Sequence, residues 1–230
     1  MKIQVQKLKS SKLFYGKWPY RIATQQHWAN RIVRNGVNNV KLWCRTGKGL
    51  YAHPWNKETQ PNPFELLEFV EAIEPYLGRK DLRIRAEGNH LNIFCMDKVL
   101  LAELENVLRK WITHISGPTT DEELEYLLSN GRKKVLCDQL PKEKYKYKLI
   151  FKTSFPENKR DTFLQWLSKY DDKVNLSKST EKWLLGSKHW IQDPFIYVED
   201  DKMLSMIGLY LSGYVKRIDE FIPRDSVLTA

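Results

Sequence analysis

Lys17-Trp18-Pro19-Tyr20-Arg21-Ile22 and Lys144-Tyr145-Lys146-Tyr147-Lys148-Leu149 share one chemical order: basic, aromatic, any residue, Tyr, basic, aliphatic. A second pair follows in the same sense along the chain, Ile93-Phe94-Cys95-Met96-Asp97 and Ile196-Tyr197-Val198-Glu199-Asp200. Lys98-Val99-Leu100 continues the first member directly. Lys202-Met203-Leu204 continues the second after one inserted residue, Asp201. Two matches in the same order mark a duplicated supersecondary unit.

In copy one a first strand is expected over about 13–24. Asn62 and Pro63 make a favoured cap and first helical position, and Phe64, Leu67, Val70 and Ile73 then recur at helical spacing until Pro75 and Gly78. Leu82–Ala86 and Leu91–Met96 read as a hairpin around Gly88-Asn89, Asp97 caps a second helix, and 112–116 close the unit as a fourth strand. Copy two repeats this with a strand at 145–153 and a helix at about 158–170. A hairpin with a long connection follows in 174–199, then a helix at about 201–214 and a strand at about 215–222. The order is βαββαβ, so the expected fold class is α+β, two ferredoxin-like units in tandem. The expected division is 1–118, a linker at 119–143 and 144–230. The linker holds a short helix, with a Thr120/Glu123 capping box at its start and Asn130-Gly131 at its end. Copy one also carries a long insertion at about 25–61.

The charge is uneven. The first 57 residues contain twelve Lys and Arg and no acid, while the other 173 hold 26 basic and 28 acidic groups. A positive segment of this kind has polyanions as natural partners. It is also rich in flat rings, among them Tyr15, Trp18, Tyr20, Trp28 and Trp43, which suits unpaired bases. Arg31, Arg34, Lys41, Arg45 and Lys48 fall within eighteen residues of the insertion and are expected to carry phosphate contacts.

Strand alternation divides the remaining residues between faces. Tyr145, Tyr147 and Leu149 are expected inward, with Lys146 and Lys148 outward; Leu82, Ile84, Leu91, Ile93 and Cys95 inward, with Arg83, Arg85, His90, Asn92 and Phe94 outward, joined by Arg21. In copy two Tyr197 takes the place of Phe94, and Trp18 and Tyr20 are assigned to the core. An open sheet with basic side chains and an aromatic on its third strand resembles the RNA-recognition-motif platform, which stacks bases on central strands. The resemblance is architectural, since that family's full central-strand signature is absent. The competing expectation is that Phe94 and Tyr197 pack as core between the copies.

Other chemistry is sparse. Cys44, Cys95 and Cys137 are widely spaced, without C-x-x-C or zinc spacing. Nothing reads as a membrane span, and MKIQVQKLKSSKLFYG lacks the apolar run of a secretory leader, so a cytoplasmic protein is expected. Thr46-Gly47-Lys48-Gly49-Leu50 reads as an ordinary hairpin turn, not a phosphate loop. His90-Leu91-Asn92 is similar to the His-hydrophobe-His pair of rolling-circle replication initiators, but Asn92 replaces the second imidazole and no Tyr follows in 97–112. His114 reads as a satisfied edge histidine, and His27 and His53 as contacts within the basic insertion.

The expectation is therefore a non-enzymatic protein that binds single-stranded or structured RNA or DNA, with no cofactor and no metal. The texture resembles small proteins of bacteriophages and other viruses, which points to a replication, packaging or host-takeover accessory. The alternatives are a protein-interaction or virion-associated module with an acidic protein partner, and a phosphodiester-cleaving enzyme centred on His90.

Overall fold

The computed structural model describes residues 5–26, 28–47, 62–87, 90–131, 133–186, 191, 193–211 and 213–228. The chain divides into two units, Met1–Leu128 and Ser129–Ala230, and each builds its own five-stranded sheet. In the first unit the elements are β1 (Gln6–Lys9), β2 (Tyr20–Gln25), α1 (Ala29–Asn35), α2 (Val37–Thr46) and α3 (Pro63–Ile73). They continue with β3 (Leu82–Glu87), β4 (His90–Cys95), α4 (Lys98–Leu108), β5 (Ile112–Gly117) and α5 (Asp121–Asn130), whose last turn crosses the division. The sheet order is β1-β5-β2-β4-β3, antiparallel except for the parallel edge pair β1–β5.

The second unit contains β6 (Lys134–Cys137), β7 (Tyr147–Phe151), α6 (Glu157–Leu167), β8 (Val174–Leu176), α7 (Lys178–Leu184), β9 (Phe195–Val198), α8 (Asp201–Leu211), β10 (Val215–Pro223) and α9 (Arg224–Leu228). Its order, β6-β10-β7-β9-β8, repeats the first, again with one parallel edge pair, β6–β10. The fold is α+β, built twice.

The repeat holds at the level of strand register. Tyr20 pairs with Cys95, Arg21 with Phe94 and Ile22 with Ile93; Tyr147 pairs with Val198, Lys148 with Tyr197 and Leu149 with Ile196. Asp97 caps α4 by accepting from the Leu100 N–H at 2.8 Å, and Asp200 does the same for Met203 at 2.7 Å. Leu100, Leu104 and Leu108 are buried in the first unit, and Met203, Ile207 and Leu211 in the second at the same spacing from the cap. The insertion expected at Asp201 is therefore not there: Asp201 stands where Lys98 stands.

Several expectations give way to local chemistry. The strand expected over about 13–24 is β2 and starts at Tyr20, because Pro19 has no N–H to give to a ladder. Before it, Phe14 and Trp18 bridge across a tight turn in which Tyr15 (φ 54°) and Gly16 (φ 66°) are both left-handed. The insertion supplies α1 and α2, whose Ala29, Ile32, Val40 and Trp43 enter the same core as Ile22, Leu91 and Ile93. Thr46 and Gly47 belong to the end of α2, where Gly47 (φ 69°) returns its N–H to the Trp43 carbonyl. They are not a hairpin turn, and Lys48-Gly49-Leu50 lie outside the described residues. In copy two the long connection holds α7, pinned to β9 by Thr180, whose hydroxyl accepts from Phe195 N–H and donates to its carbonyl. The segment 119–143 contributes a strand as well as a helix, β6. Among the described residues no helix is long and apolar enough to cross a membrane.

Candidate nucleic-acid interface

Each sheet has a core face covered by helices and an outer face. In the first unit Tyr20, Ile22, Leu91, Ile93 and Cys95 point to the helices and are buried, and Trp18 is buried too. The register then gathers Arg21, Arg83, Arg85, Asn92, Phe94, His114 and Ser116 on the outer face, since Arg21 lies between Phe94 and Ser116, and Phe94 beside Arg83.

That face is not open. Phe94 is only 3% exposed. The turn before β2 folds over it: the Phe14 ring lies 5.5 Å from Phe94 and the Tyr15 ring 5.1 Å, edge-on. Phe94 is thus covered by its own unit. Arg85 donates to the Tyr15 hydroxyl at 2.6 Å, and the guanidinium groups of Arg83 and Arg85 lie 4.3 and 5.1 Å from its ring. Arg21 is 5.1 Å from the Phe14 ring. Phe14 and Tyr15 are the residues that sequence reasoning missed, by running them into a strand. Gly16, next to Tyr15 and three residues before Pro19, was the available signal of a turn.

Arg21 is anchored at the bottom of this face. Its Nη2 donates to His114 Nε2 at 2.8 Å and to Ser116 Oγ at 3.2 Å. Accepting there puts the His114 proton on Nδ1, 3.2 Å from Thr113 Oγ1, whose hydroxyl donates to the Ala23 carbonyl. Burial first, then Arg21 and His90, push the His114 pKa below its ordinary value, so the ring is held neutral. Asn92 is 4% exposed and donates to Glu87 Oε2 at 3.2 Å. Among the described residues no group of three His, Cys, Asp or Glu side chains is placed to hold a metal. The Cys95 thiol is pushed up to about 12, mainly by burial.

The insertion's basic residues are elsewhere. They sit on α1 and α2, in the helical layer against the core face. Arg34 and Arg45 are exposed, with no ion-pair partner among the described residues. Arg31 lies 5.8 Å from the Trp28 ring, and Lys41 is paired with Glu74. Lys48, His27 and His53 lie outside the described residues. The basic residues of the insertion and those of the strands therefore form two surfaces of the first unit, on opposite sides of its sheet. Counted by unit, the charge is even: each holds 19 basic and 14 acidic residues, because α3 to α5 of the first unit are rich in acid.

In the second unit Lys148 lies 3.8 Å over the Phe195 ring, and Tyr197 is half-buried between Tyr145 (6.1 Å), Phe195 (5.3 Å) and Phe221 (6.0 Å). Tyr145 was expected inward with Tyr147. It lies instead with Tyr197 on the other face, because β7 begins only at Tyr147, after a turn with Lys142 and Glu143 at positive φ. Lys146 was expected outward beside Lys148. It is held by Asp201 at 3.3 Å and Glu220 at 3.7 Å.

No protein-family model, curated protein or solved structure matches the chain. The weight of any functional reading falls on the geometry.

Proposed function

We propose that this is a nucleic-acid-binding protein that holds single-stranded RNA or DNA against the outer sheet face of its first unit. We read both units as ferredoxin-like βαββαβ cores, each extended by a parallel edge strand. The strand order β5-β2-β4-β3, with helices on one face, supports that reading. The observation that carries the functional reading is the joint placement of Arg21, Arg83 and Arg85 with the Tyr15 ring on one face. Guanidinium groups neutralise phosphates and an accessible ring stacks bases. Tyr15, 37% exposed, replaces Phe94 in that role. A viral or phage setting, and the binding of an acidic protein, are secondary to this reading.

The test is fluorescence anisotropy with labelled ssRNA, ssDNA and duplex over a range of salt. Changing Arg83 and Arg85 together to Gln should flatten the slope of log K against log salt by about 1.4, at about 0.7 for each lost single-strand phosphate contact. A variant with wild-type salt dependence would sink the proposal.

A further inference from the structure

Between the Phe14–Tyr15 turn and the outer face lies a cleft of ≈ 410 Å³. Its size is that of a small-molecule pocket. Its polar lining includes Arg21, Glu87, Asn92 and Ser116 on the sheet, and Lys9 and Lys12 in the segment ahead of the turn. Asn92 and Ser116 are nine-tenths buried or more, at 4% and 3% exposure. Arg21 presents a guanidinium whose Nε is buried with no partner. Glu87 stands at the Asn92 side, with one carboxylate oxygen taken by Asn92. Its other oxygen, and the carbonyl and second N–H of the Asn92 amide, have no hydrogen bond among the described residues.

This inventory selects a ligand. The carboxylate accepts only, the guanidinium donates only, and the amide between them does both. Glu87 disfavours a bare phosphate at the Asn92 end, and Arg21, Lys9 and Lys12 disfavour a cation. A planar group with donors at one side and an acceptor at the other satisfies both ends. Guanine carries N1–H and the N2 amine beside O6 on a single edge. Arg is also the usual donor to guanine O6 and N7. The rings of Phe14 and Tyr15 form the wall on which such a group stacks.

The duplicated unit supplies an internal comparison. By register Lys148 stands for Arg21, Tyr197 for Phe94, Asp219 for Ser116 and Phe195 for Asn92. In the second unit an aromatic ring therefore takes the position of the cleft's amide, with Lys148 drawn over it. One frame has been given a polar floor in one copy and an apolar one in the other.

We propose that the cleft of the first unit takes one guanine base of a bound single strand. The proposal rests on the nucleic-acid reading above and extends it to base choice. The experiment compares labelled oligo-U strands with and without one central G, at fixed salt, for wild type, Glu87→Gln and Asn92→Phe. The Phe substitution copies the second unit. A single G should tighten wild-type binding by about tenfold, within the range expected for one good base contact. Both variants should bind oligo-U with and without the G equally. Equal wild-type affinity for the two strands, or a G preference that survives Glu87→Gln, overturns the proposal while leaving the nucleic-acid reading in place. If no strand binds, the nucleic-acid reading falls. Saturation-transfer NMR with free guanosine and adenosine then decides the cleft alone: transfer to guanosine only supports it, and transfer to neither overturns it.

Discussion

One hydroxyl shows how the two copies have diverged. Tyr20 and Tyr147 occupy the same register position, and both rings are buried. The Tyr147 hydroxyl donates to the Asp201 carboxylate at the start of α8. In the first unit that position holds Lys98, which pairs with Asp121 instead. The Tyr20 hydroxyl is left buried without a hydrogen bond. Its ring lies against Gly117, where an added methyl would come within 2.6 Å of it. A buried unsatisfied hydroxyl costs stability, while a satisfied one contributes about 1 kcal/mol, more when the acceptor is charged. Tyr20→Phe should therefore be neutral or stabilising, and Tyr147→Phe should destabilise by about 1–3 kcal/mol. Urea denaturation of the two variants measures both. Equal losses would show that the hydroxyls are equivalent after all.

At the scale of elements, the turn ahead of β2 decides what the outer face can do. It places two aromatic side chains over Phe94 and keeps Tyr15 in a left-handed conformation that costs a non-glycine residue energy. Phe94 has become core and Tyr15 has become surface. Phe94→Ala should cost roughly 3–5 kcal/mol of folding stability. Tyr15→Ala should cost on the order of 1–3 kcal/mol of single-strand binding, with a smaller effect on the melting transition. Affinity and melting measured on both variants separate the roles, and a Tyr15→Ala protein of undiminished affinity would remove the ring from the interface. The same turn gives Arg83 and Arg85 a partner in Tyr15, whereas Arg34 and Arg45 on α1 and α2 are exposed without an ion pair among the described residues.

At the scale of the whole molecule, the described residues form two cores. One joins Tyr20, Phe69, Ile93 and Leu104; the other joins Leu149, Phe155, Phe163 and Ile207. The second unit ties many of its cations to its own acids, as in Lys134–Glu220, Lys173–Asp200, Lys216–Asp193 and Arg217–Asp219. The rings its other cations lie over, among them Tyr145, Phe195 and Trp183, are buried or half-buried, whereas Tyr15 is exposed beside Arg83 and Arg85. Binding should accordingly reside in the first unit. Phe163→Ala, at a fully buried site of the second core, should lower that unit's stability by about 3–5 kcal/mol. Single-strand affinity at temperatures below its transition should not change. A parallel loss of affinity would place the second unit in the interface.

The sequence by itself determined the duplication, the helix between the landmarks, the helix and closing strand after them, and most of the core. These depend on local periodicity and on capping residues such as Asn62, Asp97 and Asp200, which act within a few positions of themselves. It also marked Arg21, Arg83, Arg85 and Phe94 as one set, because alternation along a strand fixes the face of every second residue. Only the tertiary structure decided that β1 and β6 join the far edges of their sheets. A parallel edge strand of four residues has no turn beside its partner to announce it. Only the tertiary structure separated Arg31, Arg34, Lys41 and Arg45 from the sheet arginines, since nearness in sequence does not say on which layer a helix will pack. It alone placed Phe14 and Tyr15 over Phe94, where a contact spanning some eighty residues is set by packing and not by any local signal.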